Sequence, residues 1–320
     1  MDIALASLAF ALAACCAVVM GFAIQRGATC TVAAMEEIVD ERSSGRLLGL
    51  AEASLWVAGG LLVAQALHLL PAMPPGYPVN GWTVLGGTLL GLGAFVNRAC
   101  VFGSVARFGS GEWAYLVTPL GFYVGCLSVE PLFAAGAQTR LAYGSPVLQA
   151  PGWVALPFVL FVAWRIVRPI RGGLRLRDAL TTHIWSPHAA TTVIGIAFVL
   201  MLLLVGAWAY TDVLAELARG MATSLTARCL LLVALLLGAV WGGWTAGRFR
   251  STRVSAAQLL RCLAGGVLMG WGSLLIPGGN DGLILVGMPL LWPYAWVAFL
   301  AMCTSIGAAL LARRAWGQPP

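Results

Sequence analysis

Residues 53–97 read ASLWVAGGLLVAQALHLLPAMPPGYPVNGWTVLGGTLLGLGAFVN, a stretch without a single Asp, Glu, Lys or Arg. It is interrupted once, by Pro71, Pro74, Pro75, Gly76 and Pro78. Proline ends a helix, and a bilayer core of about 30 Å takes about 20 apolar residues to cross. The stretch therefore predicts two membrane spans joined by a short polar hairpin. Charge-free runs of the same kind occupy Ile3 to Gln25, Trp113 to Val129, Leu141 to Trp164, Ala189 to Thr211, Cys229 to Gly247, Cys262 to Asn280 and Gly282 to Ala312. Together they predict nine crossings.

The whole chain agrees with this stretch. Of 320 residues, 60% are hydrophobic and 10% charged, against roughly a quarter charged in a soluble domain. A water-soluble globule is excluded. The expected fold is an all-α integral membrane protein of about nine transmembrane helices plus short re-entrant helices, forming one transport domain over residues 1–320. No loop is long enough for a separate soluble domain and no nucleotide-binding loop is present, so ATP cannot drive this chain directly. The net charge of +7 comes from nineteen basic residues that are all Arg and sit at span ends. They report orientation, not nucleic-acid binding.

Basic loops are kept on the cytoplasmic side. Arg165 to Arg177 holds five Arg and Arg248 to Arg261 holds four, and Arg42, Arg46, Arg313 and Arg314 join them if nine crossings alternate from an outer N-terminus. The other face keeps Arg140, Arg219 and Arg228. The expectation is a multi-pass protein of a prokaryotic inner membrane, N-terminus outside and C-terminus in the cytoplasm. The start Met1-Asp2 lacks a basic n-region, so Leu12-Ala13-Ala14-Cys15 is not read as a cleaved leader. None of the eight Cys shows CxxC spacing, and most lie in apolar runs, which argues against a disulfide framework.

Gly86-Gly87-Thr88-Leu89-Leu90-Gly91-Leu92-Gly93 aligns without gaps on Gly265-Gly266-Val267-Leu268-Met269-Gly270-Trp271-Gly272, five of eight positions agreeing at an offset of 179 residues. The first copy enters the membrane from outside and the second from the cytoplasm. Halves of about 1–140 and 180–320 are thus expected to be inverted repeats, the pattern of transporters whose site lies at mid-membrane between the halves. Glycines alone also serve close helix packing. Polar breaks accompany these: Gln25-Arg26-Gly27-Ala28-Thr29-Cys30, Asn97-Arg98-Ala99-Cys100 and Pro277-Gly278-Gly279-Asn280-Asp281. Non-helical backbone at membrane depth must be buried in protein or line a wet cavity. Short helices are expected after them over Thr31 to Asp40 and Val101 to Phe108, with a polar helix over Thr211 to Thr226 standing in the second half where Thr31 to Asp40 stands in the first.

The breaks carry the candidate transport-pathway residues: Cys30, Cys100, Asn280, Asp281, Arg26, Arg98, Gln25, Asn97 and Gly279. Arg26 and Arg98, each after an amide and before a Cys, suit an anion; either is otherwise a topology anchor at the inner interface. Metal binding by the thiols needs more donors than are near, since His183 and His188 read as solvated loop residues. A catalytic thiolate needs a base, and none lies near in sequence. A neutral thiol, a weak S–H donor that passes a soft anion along, fits better, beside the plainer option of buried packing cysteines. Asp281 either caps the half-helix that follows it or handles a proton or Na⁺. No catalytic residue, cofactor or metal is expected.

These motifs, Gly21-Phe22-Ala23-Ile24-Gln25-Arg26-Gly27-Ala28-Thr29-Cys30, Asn97-Arg98-Ala99-Cys100-Val101-Phe102-Gly103-Ser104 and Gly265-Gly266-Val267-Leu268-Met269-Gly270, resemble the YeeE/YedE sulfur-transport family of prokaryotic membrane proteins. The resemblance covers nearly the whole chain. It implies an hourglass-shaped permease for thiosulfate or a related sulfur or selenium species, in which three cysteines pass the ion by S–H contacts. Cys30 and Cys100 match two of them. The third position normally reads Gly-Gly-Cys, where this chain has Gly278-Gly279-Asn280. An amide donor there favours a harder, oxygen-rich anion. The resemblance also suggests a cytoplasmic sulfur-carrier protein as recipient. Other readings are a sulfur relay carrying a Cys persulfide and a non-transporting membrane scaffold.

Overall fold

The computed structural model describes residues 7–133, 138–171, 184–220 and 225–316, with residues 166–171 as backbone only. Among the described residues there are helices and turns and no strand. In chain order the helices are α1 (Leu8–Arg26), α2 (Thr31–Glu41), α3 (Gly45–Ala66), α4 (Gly81–Asn97), α5 (Val101–Gly109), α6 (Val117–Phe133), α7 (Ala155–Arg171), α8 (Pro187–Val205), α9 (Tyr210–Ala218), α10 (Leu225–Thr245), α11 (Ala256–Leu275), α12 (Asn280–Gly282) and α13 (Pro293–Ala315). After α12 the chain continues in π geometry over Leu283–Gly287.

Several starts are written locally. The Ser7 hydroxyl accepts the Phe10 N–H at 3.1 Å. Asn80 with Thr83 and Ser255 with Gln258 form capping boxes at α4 and α11. Ser186 caps α8, followed by Pro187 at the first helical position, where a missing N–H costs nothing.

Among the described residues, eight helical segments are long and apolar enough to cross a membrane: Leu8–Glu41, Gly45–Ala66, Gly81–Gly109, Trp113–Phe133, Pro187–Val205, Leu225–Thr245, Ala256–Leu275 and Pro293–Ala315. The remaining apolar helix, Gly152–Arg165, is shorter. Within the charge-free run Leu141 to Trp164, Gly144, Pro146, Pro151 and Gly152 divide the chain into a single helical turn at Pro146–Gln149, a tighter turn at Gly152–Val154 and the longer helix α7 from Ala155. Absence of charge sets an upper limit on a helix; the turn residues set its actual start.

The order of elements repeats. Each of α1, α4, α8 and α11 runs into a break, then a short helix, and each unit is followed by a long helix: α3, α6, α10 and α13. Packing follows the same scheme, with α1 against α8 and α10, α3 against α8, α4 against α11 and α13, and α6 against α11. The glycine octets matched in sequence meet face to face. A Cβ on Gly93 would stand 2.7 Å from the Gly265 carbonyl, and one on Gly86 2.8 Å from the Gly272 carbonyl, so α4 and α11 touch antiparallel, backbone to backbone. The glycines are there for packing. The short helix after α8 spans Tyr210–Ala218, ending earlier than the expected Thr226.

Candidate functional site

The break between α1 and α2 (Gly27 to Cys30) and the one between α4 and α5 (Arg98 to Cys100) lie side by side. Ala28 (φ 46°) and Arg98 (φ 58°) turn the chain through left-handed backbone, a conformation that costs a non-glycine residue about 1–2 kcal/mol. The turn sets Cys30 and Cys100 at the N-cap positions of α2 and α5. There each thiol serves the other break. Cys100 Sγ accepts the Thr31 N–H at 3.2 Å and Cys30 Sγ accepts the Cys100 N–H at 3.4 Å. Both are buried and free of disulfide. Sulfur is a weak acceptor. The first donors of two helices, where the dipole is positive, are therefore held loosely and can be transferred to an anion.

Asn97 braces this arrangement. It is wholly buried, its Nδ2 donating to the Ala99 carbonyl at 2.8 Å and to Ser104 Oγ at 2.9 Å while its Oδ1 accepts from Thr118 Oγ1 at 3.1 Å. Gln25, also buried, donates to Ser110 Oγ at 3.3 Å. Arg26 is 2% exposed, although it ends a helix. Its Nη2 donates to Thr245 Oγ1 at 2.9 Å and its guanidinium lies 4.9 Å from the Phe22 ring centre. Arg98 is not drawn in: it stays exposed at the end of α4.

The second-half break, Ile276 to Gly279, presents Asn280 and Asp281. Asp281 is 2% exposed and accepts the Thr211 hydroxyl, the Thr211 N–H at 3.3 Å and its neighbour's Gly282 N–H at 3.0 Å. It thus caps α9 in trans as well as its own turn. Gly279 is required by this contact, since a Cβ there would stand 2.2 Å from Thr211 Oγ1. Asn280 is wholly buried and neither of its amide atoms has a hydrogen-bond partner. Tyr210, next to Thr211, donates to the Val101 carbonyl at 3.1 Å and so ties α9 to α5 beside Cys100.

Three cavities follow this line of residues. A vestibule of about 350 Å³ is lined by Arg140, Arg219, Arg228, Asp212 and Glu216, together with Trp208 and Gly278. Arg228 is paired with Glu216. Adjoining it through Trp208 and Ala209, a space of about 10 Å³ is bounded by Trp208, Tyr210, Asp281, Ile24 and Phe102. A third, also about 10 Å³, lies against Thr29, Cys30, Arg46 and Thr191. The vestibule escaped the sequence reading, which used Arg140, Arg219 and Arg228 only to count charge. Their rarity on that face was the available signal. Arg46 pairs with Glu37 at 3.4 Å. His183 lies outside the described residues, and His188 is no free loop residue: it stands in the first turn of α8, its ring paired with Glu52. Among the described residues no group of three or more His, Cys, Asp or Glu is arranged to hold a metal ion.

A family model described as sulphur transport matches residues 26–310, from Arg26 to a point near the end of α13. The chain belongs to the sulphur transport family. One relative is the thiosulfate transporter TsuA of Escherichia coli (strain K12), 24% identical over 332 residues that cover 92% of each chain. The membership agrees with the YeeE/YedE resemblance carried by Gly21–Cys30, Asn97–Ser104 and Gly265–Gly270, of which the last two fall within the matched residues and the first overlaps their start. As a sulphur transport family member, the protein is a multi-pass membrane protein built for transport. The matched region holds Cys30, Cys100, Asn97, Asn280 and Asp281, and it also holds the vestibule arginines.

Proposed function

We propose that the protein is a permease that takes up a small inorganic sulfur-containing anion of the thiosulfate type through a narrow thiol-lined passage between two inverted halves. The observation that carries this is the crossed pair of thiol bonds, Thr31 N–H to Cys100 and Cys100 N–H to Cys30, at two buried helix N-termini. The name of the Escherichia coli relative supports the substrate class. The arginine vestibule collects the anion, Gly278, Gly282 and Asp281, the neighbours of Asn280, border the throat, and Cys30 opens on the third cavity. The inverted relation rests on the repeated element order and the antiparallel contact of α4 with α11. In this reading the N-terminus and the vestibule face outward across an inner membrane, the ninth crossing is α7, and a cytoplasmic carrier takes the sulfur at the arginine-rich side.

The test is uptake of radiolabelled thiosulfate, sulfite and selenite into proteoliposomes holding the full chain, with and without a proton gradient. Concentrative or facilitated entry of a sulfur anion, inhibited by a thiol-blocking reagent, is the expected result. Entry at the rate of protein-free vesicles for every anion defeats the proposal. Mass spectrometry after exposure to thiosulfate separates it from a persulfide relay, because a permease keeps no sulfur adduct on Cys30 or Cys100.

A further inference from the structure

Resting on that reading, we propose that the Asn280 carboxamide makes the passage selective for a singly protonated oxyanion, of which hydrogen sulfite is the simplest, over a fully deprotonated dianion. Asn280 is 0% exposed, and both its Nδ2 donor and its Oδ1 acceptor are without a partner. Buried polar groups in this condition lose their hydration with no return, so they mark places where a ligand completes the bonding. Position agrees with this. Gly278 and Gly282, on either side of Asn280, line the vestibule, and Asp281 lines the small space adjoining it. Trp208, which borders both spaces, also has a buried indole N–H without a partner.

The amide needs both an acceptor and a donor from its ligand. A bare dianion offers acceptors alone: it satisfies Nδ2 and leaves Oδ1 facing negative charge. A protonated oxyanion satisfies both atoms, one oxygen accepting from Nδ2 while its O–H donates to Oδ1. The neighbouring acid adds to the preference. Asp281 has no cationic partner among the described residues, and its bonds come from Thr211 and Gly282. In its ionised form it repels a charge of minus two twice as strongly as a charge of minus one. Sulfite carries such a proton near neutral pH, and thiosulfate does not.

The titrating group in this proposal belongs to the ligand, and the protein groups around the throat are Asp281 itself, Tyr210 and Asp212 on α9, Cys100 on α5, and Tyr77, Arg140, Glu216, Arg219, Arg228 and Tyr294 around the vestibule. Thiosulfate meets the same groups and serves as the control for their titration. The experiment measures anion-induced thermal stabilisation of the purified full chain in detergent, for the wild type and Asn280→Leu, with sulfite and with thiosulfate between about pH 6 and about pH 9. Leucine keeps the branched shape of asparagine in a bulkier side chain and removes the orphaned amide; its thermal midpoint without anion shows that it folds, and the sulfite–thiosulfate comparison in the wild type tests the proposal independently of it.

In the wild type, the half-saturating sulfite concentration rises about tenfold for each pH unit above sulfite's second ionisation, relative to thiosulfate. Asn280→Leu abolishes that difference. Parallel behaviour of the two anions in the wild type, a sulfite dependence that survives in Asn280→Leu, or no stabilisation by either anion overturns the assignment. Uptake by the same proteins in proteoliposomes distinguishes the two claims. Binding of the expected form without uptake removes the permease reading alone, and uptake without a sulfite–thiosulfate difference removes the role of Asn280 alone.

Discussion

Replacing Cys100 by Ala and by Ser separates what the thiol does for the fold from what it does for transport. Cys100 Sγ is the acceptor for the Thr31 N–H, and Thr31 is wholly buried. In Cys100→Ala that donor loses its partner, at a cost of about 1–3 kcal/mol. Because sulfur is a weak acceptor to begin with, the lower end of that range is expected. In Cys100→Ser the oxygen accepts the same N–H and is a preferred residue at a helix N-cap, worth about 0.5–2 kcal/mol relative to Ala. Serine thus folds as well as the wild type, and alanine less well. Transport orders the variants differently. A hydrogen bond from the thiol to a passing charge is worth about 1.5–3 kcal/mol, so losing it slows passage about 10- to 150-fold. Serine does not restore the rate, because its shorter, harder donor stays engaged with the backbone and offers no soft contact to sulfur. The assay is initial uptake of labelled thiosulfate per folded molecule, the folded fraction taken from size-exclusion and thermal unfolding in the same preparation. Wild-type uptake by Cys100→Ser, or an alanine variant whose uptake loss equals its folding loss, refutes the pathway role of the thiol.

Gly93→Ala places a methyl 2.7 Å from the Gly265 carbonyl and 2.8 Å from the Met269 amide nitrogen, an overpacking cost of about 1–3 kcal/mol or more; it lowers the thermal midpoint, while Gly81→Ala, with open space around it, does not. Arg228→Gln removes a vestibule charge paired with Glu216; uptake at low substrate slows, and the difference from wild type shrinks as salt rises, since steering is screened over about 10 Å at 0.1 M ionic strength. A salt-independent defect contradicts a steering role. Burial, with Asp281 and Glu216 adding to it against Arg228, pushes the Asp212 carboxyl up to about 8. Asp212 is therefore neutral below that pH and gains a negative charge as pH rises through it, so thiosulfate capture weakens above about 8, and Asp212→Asn removes that decline.

What could be read from the sequence follows from the range of each effect. A bilayer acts on every residue of a span alike, so apolar runs and arginine-marked ends are visible without any tertiary information. Breaks are local too: Gly27 to Cys30 and Arg98 to Cys100 announce themselves by polar groups inside apolar surroundings. Partnership is not local. Asn97 reads like a ligand because it is an amide before an arginine, yet its carboxamide is engaged by Ala99, Ser104 and Thr118. Asp281 reads as a cap of its own turn, and its second role appears only when α9 brings Thr211 alongside. The vestibule draws its three arginines from the 140, 219 and 228 positions, spread over nearly ninety residues, with α7 and α8 between the first and the others.

For the proposed route, the distribution of charge bears on why thiols would serve as its donors. An anion that crosses must be attracted at each step and held firmly at none. Guanidinium groups bind oxyanions bidentately and strongly, and in this chain they stand at the two ends: Arg140, Arg219 and Arg228 around the vestibule, Arg46 at the third cavity. Between them the donors are neutral and weak: an indole, an amide, two thiols and the N–H groups those thiols cover. Arg26 is the exception in burial, and it is engaged by Thr245 and Phe22. In the proposed route the binding energy therefore falls from the ends towards the middle, with no deep well to trap the ion. Converting Cys30 or Cys100 into a fixed cation would raise affinity and lower flux together.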